Sequence, residues 1–115
     1  MKILERLSQS RRASFLAVLK TFGEQNDGLL SHPMKGYTLT LDLPNRSNLT
    51  PFLHELDTIL LDHGGRLYLA KDAVSTPETI AAMYPRLETF KTIQKRLDPK
   101  GVLTSSMARR LGLVG

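Results

Sequence analysis

The chain has 115 residues, of which 16 are Lys or Arg and 11 are Asp or Glu, so its formal charge is +5. This length predicts a single domain over residues 1–115, and 41% hydrophobic residues suffice for a buried core. The lack of Cys excludes disulfide scaffolds, thiolate metal sites and Cys nucleophiles. No apolar run is long enough to span a bilayer, and charged residues stand where a signal peptide would be apolar. A cytoplasmic protein is predicted, with a peripheral position at a membrane as the alternative.

The basic residues are scattered and become densest near the C-terminal end, at Lys91, Lys95, Arg96, Lys100, Arg109 and Arg110. Glu88 and Asp98 are interleaved with them, and no basic strand carries the aromatic residues typical of RNA recognition. A solvated helix face is therefore favoured over a nucleic-acid partner. The three His residues (His32, His54 and His63) lack a metal-ligand spacing, so no metal site is predicted.

The first half of the chain predicts a short helix and two strands. Apolar residues recur at helical spacing within residues 3–10. Residues 13–22 form an apolar run that is compatible with a helix or a buried strand. As a strand, this run places Leu16, Val18, Lys20 and Phe22 on one face and Phe15, Ala17 and Leu19 on the other. Residues 36–43 alternate apolar and polar side chains and predict the clearest strand.

The second half predicts helices around one more short strand. A helix follows Asn48 or Thr50 as its N-cap and stops at Gly64-Gly65. Residues 66–70 predict a strand. Thr76 is the expected N-cap of a helix that Pro85 interrupts, and residues 86–97 predict a further helix. The order is that of a ferredoxin-like βαββαβ domain without its first strand. The predicted fold is α+β, an antiparallel sheet with helices on one face and a helical tail over about residues 76–115.

Four segments carry a resemblance to a known family: residues 13–20, residues 36–44, the Gly-Gly-Arg-x-Tyr-x-x-Lys-Asp motif at 64–72, and Met-Tyr-Pro-Arg at 83–86 with its continuation to residue 111. In this order they resemble the C-terminal part of FAD-linked oxidases of the vanillyl-alcohol oxidase superfamily. The decaprenylphosphoryl-ribose 2-oxidase group is the most similar. The resemblance implies a partial substrate (cap) domain whose FAD-binding domain is absent from this chain.

The resemblance also implies roles for individual residues. Lys71 is expected to touch flavin and substrate, with Tyr68 close to the flavin. Substrate-facing positions are expected at Lys20, Phe22, Thr38, Thr40, Leu16 and Val18. The family pattern has Asn and Cys where this chain has Thr38 and Thr40, which leaves the exact substrate open. Each residue also has a structural interpretation: Lys71 as an exposed partner of Asp72, Lys20 as a snorkelling edge residue, the Thr pair as solvent-facing, and Tyr68 as a sheet-packing aromatic.

Two functions follow from these residues and from the resemblance. The first is the substrate-side part of an FAD-dependent oxidoreductase that oxidises a sugar-derived or sugar-lipid alcohol, with FAD held mostly by a domain in the same or a neighbouring polypeptide. The alternative is a free-standing ferredoxin-like binding module without catalysis. Because the central strand of the sheet is missing, the isolated chain is expected to form a homodimer.

Overall fold

The computed structural model describes residues 2–12 and 16–114. Its elements in chain order are α1 (Lys2–Ser10), β1 (Ala17–Phe22), β2 (Gly36–Leu41), α2 (Leu49–Asp62), α3 (Pro77–Met83), α4 (Leu87–Leu97) and α5 (Ser106–Arg110). The two strands form an antiparallel sheet. An α+β chain with helices and an antiparallel sheet is thereby confirmed.

The sheet register decides which side chains share a face. Val18 pairs with Thr40, Lys20 pairs with Thr38, and Phe22 pairs with Gly36. Paired residues of an antiparallel ladder project to the same side of the sheet. The ambiguous run therefore forms a strand over residues 17–22, and the predicted sharing of a face by Val18, Lys20 and Phe22 is confirmed. The rest of the predicted strand, including Phe15, lies outside the described residues.

The helix boundaries follow local signals. Asn48 is the N-cap of α2 with a left-handed φ of 63°, although its side chain makes no cap hydrogen bond. At the other end Gly64 has a φ of 69°, which glycine adopts without steric cost, and this ends the helix as predicted. The Thr76 side chain accepts a hydrogen bond from the Thr79 amide at 3.2 Å and caps α3.

The buried residues form two clusters. The larger joins α3, the start of α4 and the C-terminal segment, and consists of Ile80, Met83, Tyr84, Leu87, Leu111 and Leu113. The smaller joins α1 to α2 through Leu7, Phe52 and Leu56, with Leu41 at the end of β2 packed against it. Leu19 and Tyr37, further along the sheet, are largely exposed.

The predicted strand at residues 66–70 is wrong. This segment has no regular secondary structure, leads into a turn and pairs with neither strand. Side chains satisfy its backbone instead, because the Tyr84 hydroxyl donates to the Leu67 carbonyl and the Leu67 amide donates to the Met83 sulfur at 3.3 Å. An extended segment without a neighbouring strand has no ladder to join, so its polar groups turn to the helical core.

The apolar residues of the sheet differ in exposure. Among those predicted to face the substrate, Leu16 is 51% exposed, whereas Val18 and Phe22 are half-buried. The most exposed apolar side chains of the sheet are on the opposite face. No helix within residues 2–12 and 16–114 has the length and apolar character needed to cross a membrane.

Candidate functional site

One face of the sheet gathers most of the residues that the sequence predicted for a substrate site. Lys20 and Thr38 are direct cross-strand partners, and Thr40 follows on the same face opposite Val18. The side chain of Lys20 is exposed, while both Thr side chains are half-buried. This face therefore presents an ammonium group and two hydroxyls beside an apolar wall formed by Val18 and Phe22. Leu16 lies just before β1, where its carbonyl accepts from the Asp42 amide at 3.1 Å.

His32 lies at one end of this face and contacts three residues. Its ring meets Phe22 edge-on with ring centroids 5.6 Å apart, and it lies 5.1 Å from the Tyr68 ring. Its Nε2 atom is 3.4 Å from the Thr38 hydroxyl oxygen. His32 thus joins Tyr68, which the sequence predicted near the cofactor, to Phe22 and Thr38, which it predicted near the substrate.

The environment of His32 favours its uncharged form. Burial lowers the pKa of the ring, and the positive charge of Arg66 lowers it further, while the Leu67 backbone acts in the opposite direction. The buried Nδ1 atom makes no hydrogen bond to any residue that the structure describes. A proton added to this ring would create a half-buried cation near an arginine, which disfavours the charged form.

The segment before Lys71 is attached to the loop before β2 at two adjacent positions. Arg66 donates to the Ser31 carbonyl at 3.0 Å, and its guanidinium lies 5.4 Å from the centre of the Tyr84 ring. Next to Ser31, His32 contacts Tyr68. The Lys71 amide then donates to the Tyr68 carbonyl at 2.8 Å and closes a turn. Tyr68 and Lys71 are both exposed at this turn.

Asp72 is held by α5 rather than by Lys71. Arg110 reaches its carboxylate at 2.8 Å in an ion pair whose Asp72 side is mostly buried. Within residues 2–12 and 16–114 no ion pair involves Lys71. The structural interpretation in which Lys71 pairs with Asp72 is therefore wrong, because the carboxylate already has a stronger, partly buried partner.

The structure brings together some predicted residues and leaves others apart. Lys20, Thr38, Thr40, Val18 and Phe22 share a face, and His32 connects that face to Tyr68. Lys71 belongs to the Tyr68 turn, and none of the contacts described above joins it to the strand face. A concave surface lined by Lys91, Lys95 and Arg109 lies elsewhere, and both carboxylate oxygens of Asp98 within it accept backbone amides at 3.0 and 2.7 Å. That surface contains none of the predicted residues.

Sequence reasoning missed His32. Its three partners lie six, ten and 36 residues away, so no local spacing points to it. The other two His residues have structural contacts: His63 donates from Nδ1 to the Ile59 carbonyl at the end of α2, and His54 donates from Nε2 to the Val74 carbonyl. Among the described residues, no group of three or more His, Asp or Glu could hold a metal ion.

Comparison with known proteins bears on the interpretation of this geometry. Residues 38–111 match the family described as D-arabinono-1,4-lactone oxidase. The match covers more than half of the chain. The chain belongs to this family. The matched range includes Thr38, Thr40, the Tyr68 turn with Lys71, and the Asp72–Arg110 pair.

Two relatives are similar to this lactone oxidase family member over nearly its whole length, which includes residues before the family match. The chain is 45% identical over 112 residues to the decaprenylphosphoryl-beta-D-ribose oxidase of Mycolicibacterium smegmatis, covering 97% of the chain and 24% of that protein. It is 42% identical over 112 residues to an uncharacterized protein of Streptomyces coelicolor, covering 96% of the chain and 30% of that protein. The chain thus spans less than a third of the length of either relative.

The residues present fit one edge of a flavin and not a whole FAD site. An exposed ammonium without an ion pair among the described residues, at Lys71, suits the carbonyl edge of an isoalloxazine, and the Tyr68 ring is 52% exposed beside it. The residues present do not fit the pyrophosphate of FAD, since the sequence has no Gly-rich phosphate-binding stretch.

Proposed function

We propose that this chain is the substrate-side part of an FAD-dependent oxidoreductase that oxidises a sugar-derived alcohol. The observation that carries the proposal is the strand face on which Lys20 stands opposite Thr38, joined through His32 to the turn bearing Tyr68 and Lys71. Membership of the lactone oxidase family and the similarity to a ribose oxidase support an oxidative reaction on a sugar.

The residues have two proposed roles: those of the strand face bind the sugar, and Lys71 stabilises negative charge on the flavin. Lys20, Thr38 and Thr40 offer hydrogen bonds to the hydroxyl groups of a sugar, and Phe22 and Val18 supply an apolar surface for its carbon face. Bound FAD supplies the acceptor for the hydride that leaves the substrate carbon. With FAD bound, Lys71 would place a positive charge at the flavin edge where negative charge develops, and this would stabilise that charge electrostatically.

The proposed arrangement needs a partner. An FAD-binding domain, in the same polypeptide or in a neighbouring one, would hold the pyrophosphate and adenine and close the pocket over the strand face. In this proposal residues 1–115 form one unit, a partial cap domain related to the ferredoxin-like plan without its first strand. The isolated chain then neither retains flavin nor oxidises substrate, and its uncovered sheet favours a homodimer.

Anaerobic flavin reduction tests the proposal. The chain is assembled with an FAD-binding domain of its family and mixed with a panel of pentose-derived and hexose-derived alcohols, and flavin absorbance is followed by stopped flow. We expect bleaching by a subset of the sugars. An assembly that binds FAD and bleaches with none of them would favour the alternative, a binding module without catalysis. Yellow colour that survives desalting of the isolated chain would contradict the proposed division of the FAD site.

A further inference from the structure

His32 lies between the strand face and the turn that carries Lys71, and it contacts residues of both. Its ring is half-buried, so it is neither a free surface group nor part of either buried cluster. It lies between Phe22 and Tyr68, and the two aromatic side chains contact it at centroid distances of 5.6 and 5.1 Å. The ring thereby spans the gap between β1 and the segment that leads to Lys71.

The contact with Thr38 adds a polar function to the same ring. Nε2 of His32 is 3.4 Å from the Thr38 hydroxyl, and Thr38 pairs across the ladder with Lys20. A hydroxyl engaged on one side by an imidazole has a restricted orientation, and its remaining hydrogen-bonding capacity is directed elsewhere. That capacity lies on the face that carries the Lys20 ammonium.

We propose that His32 is a positioning residue of this site. It holds the Tyr68 turn against β1, and it fixes the Thr38 hydroxyl beside Lys20 for binding a sugar oxygen. The inference rests on the proposed function, since it deepens the account of the same site. His32 itself touches no reacting atom, and it acts through Thr38 on substrate binding and through Tyr68 on the placement of the turn that carries Lys71.

Among the described residues, the surroundings of His32 contain cations and no carboxylate partner. Arg66 lies near its ring from the same segment as Tyr68, and Lys20 stands across the ladder from Thr38. This environment suits a neutral imidazole, which meets Phe22 edge-on and Tyr68 at a tilted angle. A ring without charge can hold both contacts across the neutral pH range.

The two contacts can be separated by substitution. His32→Phe keeps an aromatic ring between Phe22 and Tyr68 and removes the contact to Thr38, whereas His32→Ala removes both. In the FAD-assembled protein, we expect His32→Phe to retain the limiting rate of flavin reduction and to raise the KM for the sugar about fivefold, in the range of one neutral hydrogen bond. We expect His32→Ala to raise KM similarly and to lower the limiting rate about tenfold, because the turn loses its support.

A double-variant comparison distinguishes positioning from general destabilisation. Thr38→Val removes the sugar-binding hydroxyl itself at nearly constant volume, so it should raise KM at least as much as His32→Phe. The combined His32→Phe/Thr38→Val variant should then have the same KM as Thr38→Val alone, because His32 acts on the sugar only through that hydroxyl. Thr38→Ser keeps the hydroxyl, so its KM should equal that of the unsubstituted protein. Additive effects on KM, or equal behaviour of His32→Phe and His32→Ala, would overturn the proposal.

A measurement on the isolated chain keeps this inference distinct from the proposed function. Ring-current shifts of Tyr68 in NMR spectra report the stacking without any cofactor, and they should persist in His32→Phe and vanish in His32→Ala. Shifts that are unchanged in His32→Ala would overturn the inference alone. A wild-type assembly that binds FAD yet is reduced by no alcohol would overturn the proposed function, and with it the role of His32 toward a substrate.

Discussion

Arg110 holds Asp72 through two hydrogen bonds, one from its Nη2 to the carboxylate Oδ2 at 2.8 Å and one from its Nη1 to the Asp72 carbonyl at 2.8 Å. The residue immediately before Asp72 is Lys71. Helix α5 therefore fixes the backbone on one side of Lys71, while the hydrogen bond from the Lys71 amide to the Tyr68 carbonyl fixes it on the other. The ammonium of Lys71 is left exposed on a turn whose backbone is held on both sides.

The first prediction concerns this pair. Arg110→Gln should lower the free energy of unfolding by about 1 kcal/mol, because a charge-assisted contact to a mostly buried carboxylate is lost. The neighbouring Arg109 is the matched control, since it is exposed and donates to the Thr104 hydroxyl at 3.1 Å. Arg109→Gln should change stability by less than about 0.5 kcal/mol. Urea unfolding followed by circular dichroism measures both, and equal losses would argue against a special role for Arg110.

The second prediction separates the two candidate lysines. In the FAD-assembled protein, Lys71→Ala should slow flavin reduction about a hundredfold, the effect of removing one preorganised charge donor. Lys20→Ala should mainly raise the KM for the sugar, because Lys20 lies on the strand face opposite Thr38. Lys100→Ala serves as the control, since Lys100 is an exposed residue in the turn after α4. Single-turnover reduction that is unchanged in Lys71→Ala would remove this residue from the site.

The third prediction is a pH dependence of stability. Because the pKa of His32 is lowered in the folded chain, the unfolded chain binds its proton more readily. The contribution of His32 to stability is therefore complete above its ordinary pKa of about 6.5 and is lost as the pH falls through the lower, folded value. His32→Phe should flatten the stability profile between pH 7 and pH 5. His63→Asn, at the exposed end of α2, should leave the slope in place.

The fourth prediction concerns Asp57, which is a buried carboxyl on the inner side of α2. Its Oδ2 atom has no hydrogen-bond partner among the described residues. Burial raises its pKa, although the nearby His54 lowers it in part. Burying this charge therefore costs no folding free energy below the unfolded pKa of about 3.9. The cost grows as the pH rises from there to the folded pKa, and it is complete above that value. Asp57→Asn should stabilise the chain by about 1 kcal/mol at pH 7 and by little near pH 4.

The exposed Asp62, at the end of the same helix, provides the matched control for Asp57. Asp62→Asn removes the same formal charge without changing a buried group. Thermal unfolding at pH 7 and pH 4 distinguishes the two variants. A gain for Asp62→Asn as large as that for Asp57→Asn would assign the effect to net charge rather than to burial.

Local sequence patterns predicted most elements of the fold and failed where long-range contacts decide. The alternation around Tyr37 and the Thr76 cap are local signals, and both give the element that the structure has. Residues 66–70 have the apolar pattern of a strand, but Tyr84 and Met83, about sixteen residues away, take up the Leu67 backbone groups. No local pattern contains that information. The Ser105 cap of α5, by contrast, is a signal that was present in the sequence, since its side chain accepts from the Ala108 amide.

The candidate site likewise combines features that local patterns predict with features that depend on long-range contacts. Alternation along β2 predicted that Thr38 and Thr40 share one side of their strand, because a strand has a fixed period of two. The register of the sheet then places Lys20 of β1 on the same face. The pairing of Asp72 with Arg110 joins residues that are 38 positions apart. The sequence offered only the adjacent Lys71 as a partner for Asp72, in the structural interpretation of that lysine. His32 was missed for the same reason, since its partners are brought together only by the folded chain.

The last prediction concerns self-association of the isolated chain. Each strand of the two-stranded sheet has one edge without a neighbouring strand in the described part of the chain, and such edges invite pairing with another chain. On the face opposite Lys20, Leu19 is 64% and Tyr37 is 76% exposed. The +5 charge opposes association weakly, and salt screens it. We expect a two-fold dimer at micromolar concentration in sedimentation velocity.

Substitution identifies the surface used. Tyr37→Lys places a charge on the exposed apolar face and should shift the chain toward monomer. Leu103→Lys is the matched control, because Leu103 is 75% exposed in the segment before α5, away from the sheet. This change should leave the association as it is. A wild-type chain that sediments as a monomer, with slow amide exchange along both strands, would mean that the two-stranded sheet is stable without a further strand and that its open edges do not drive association.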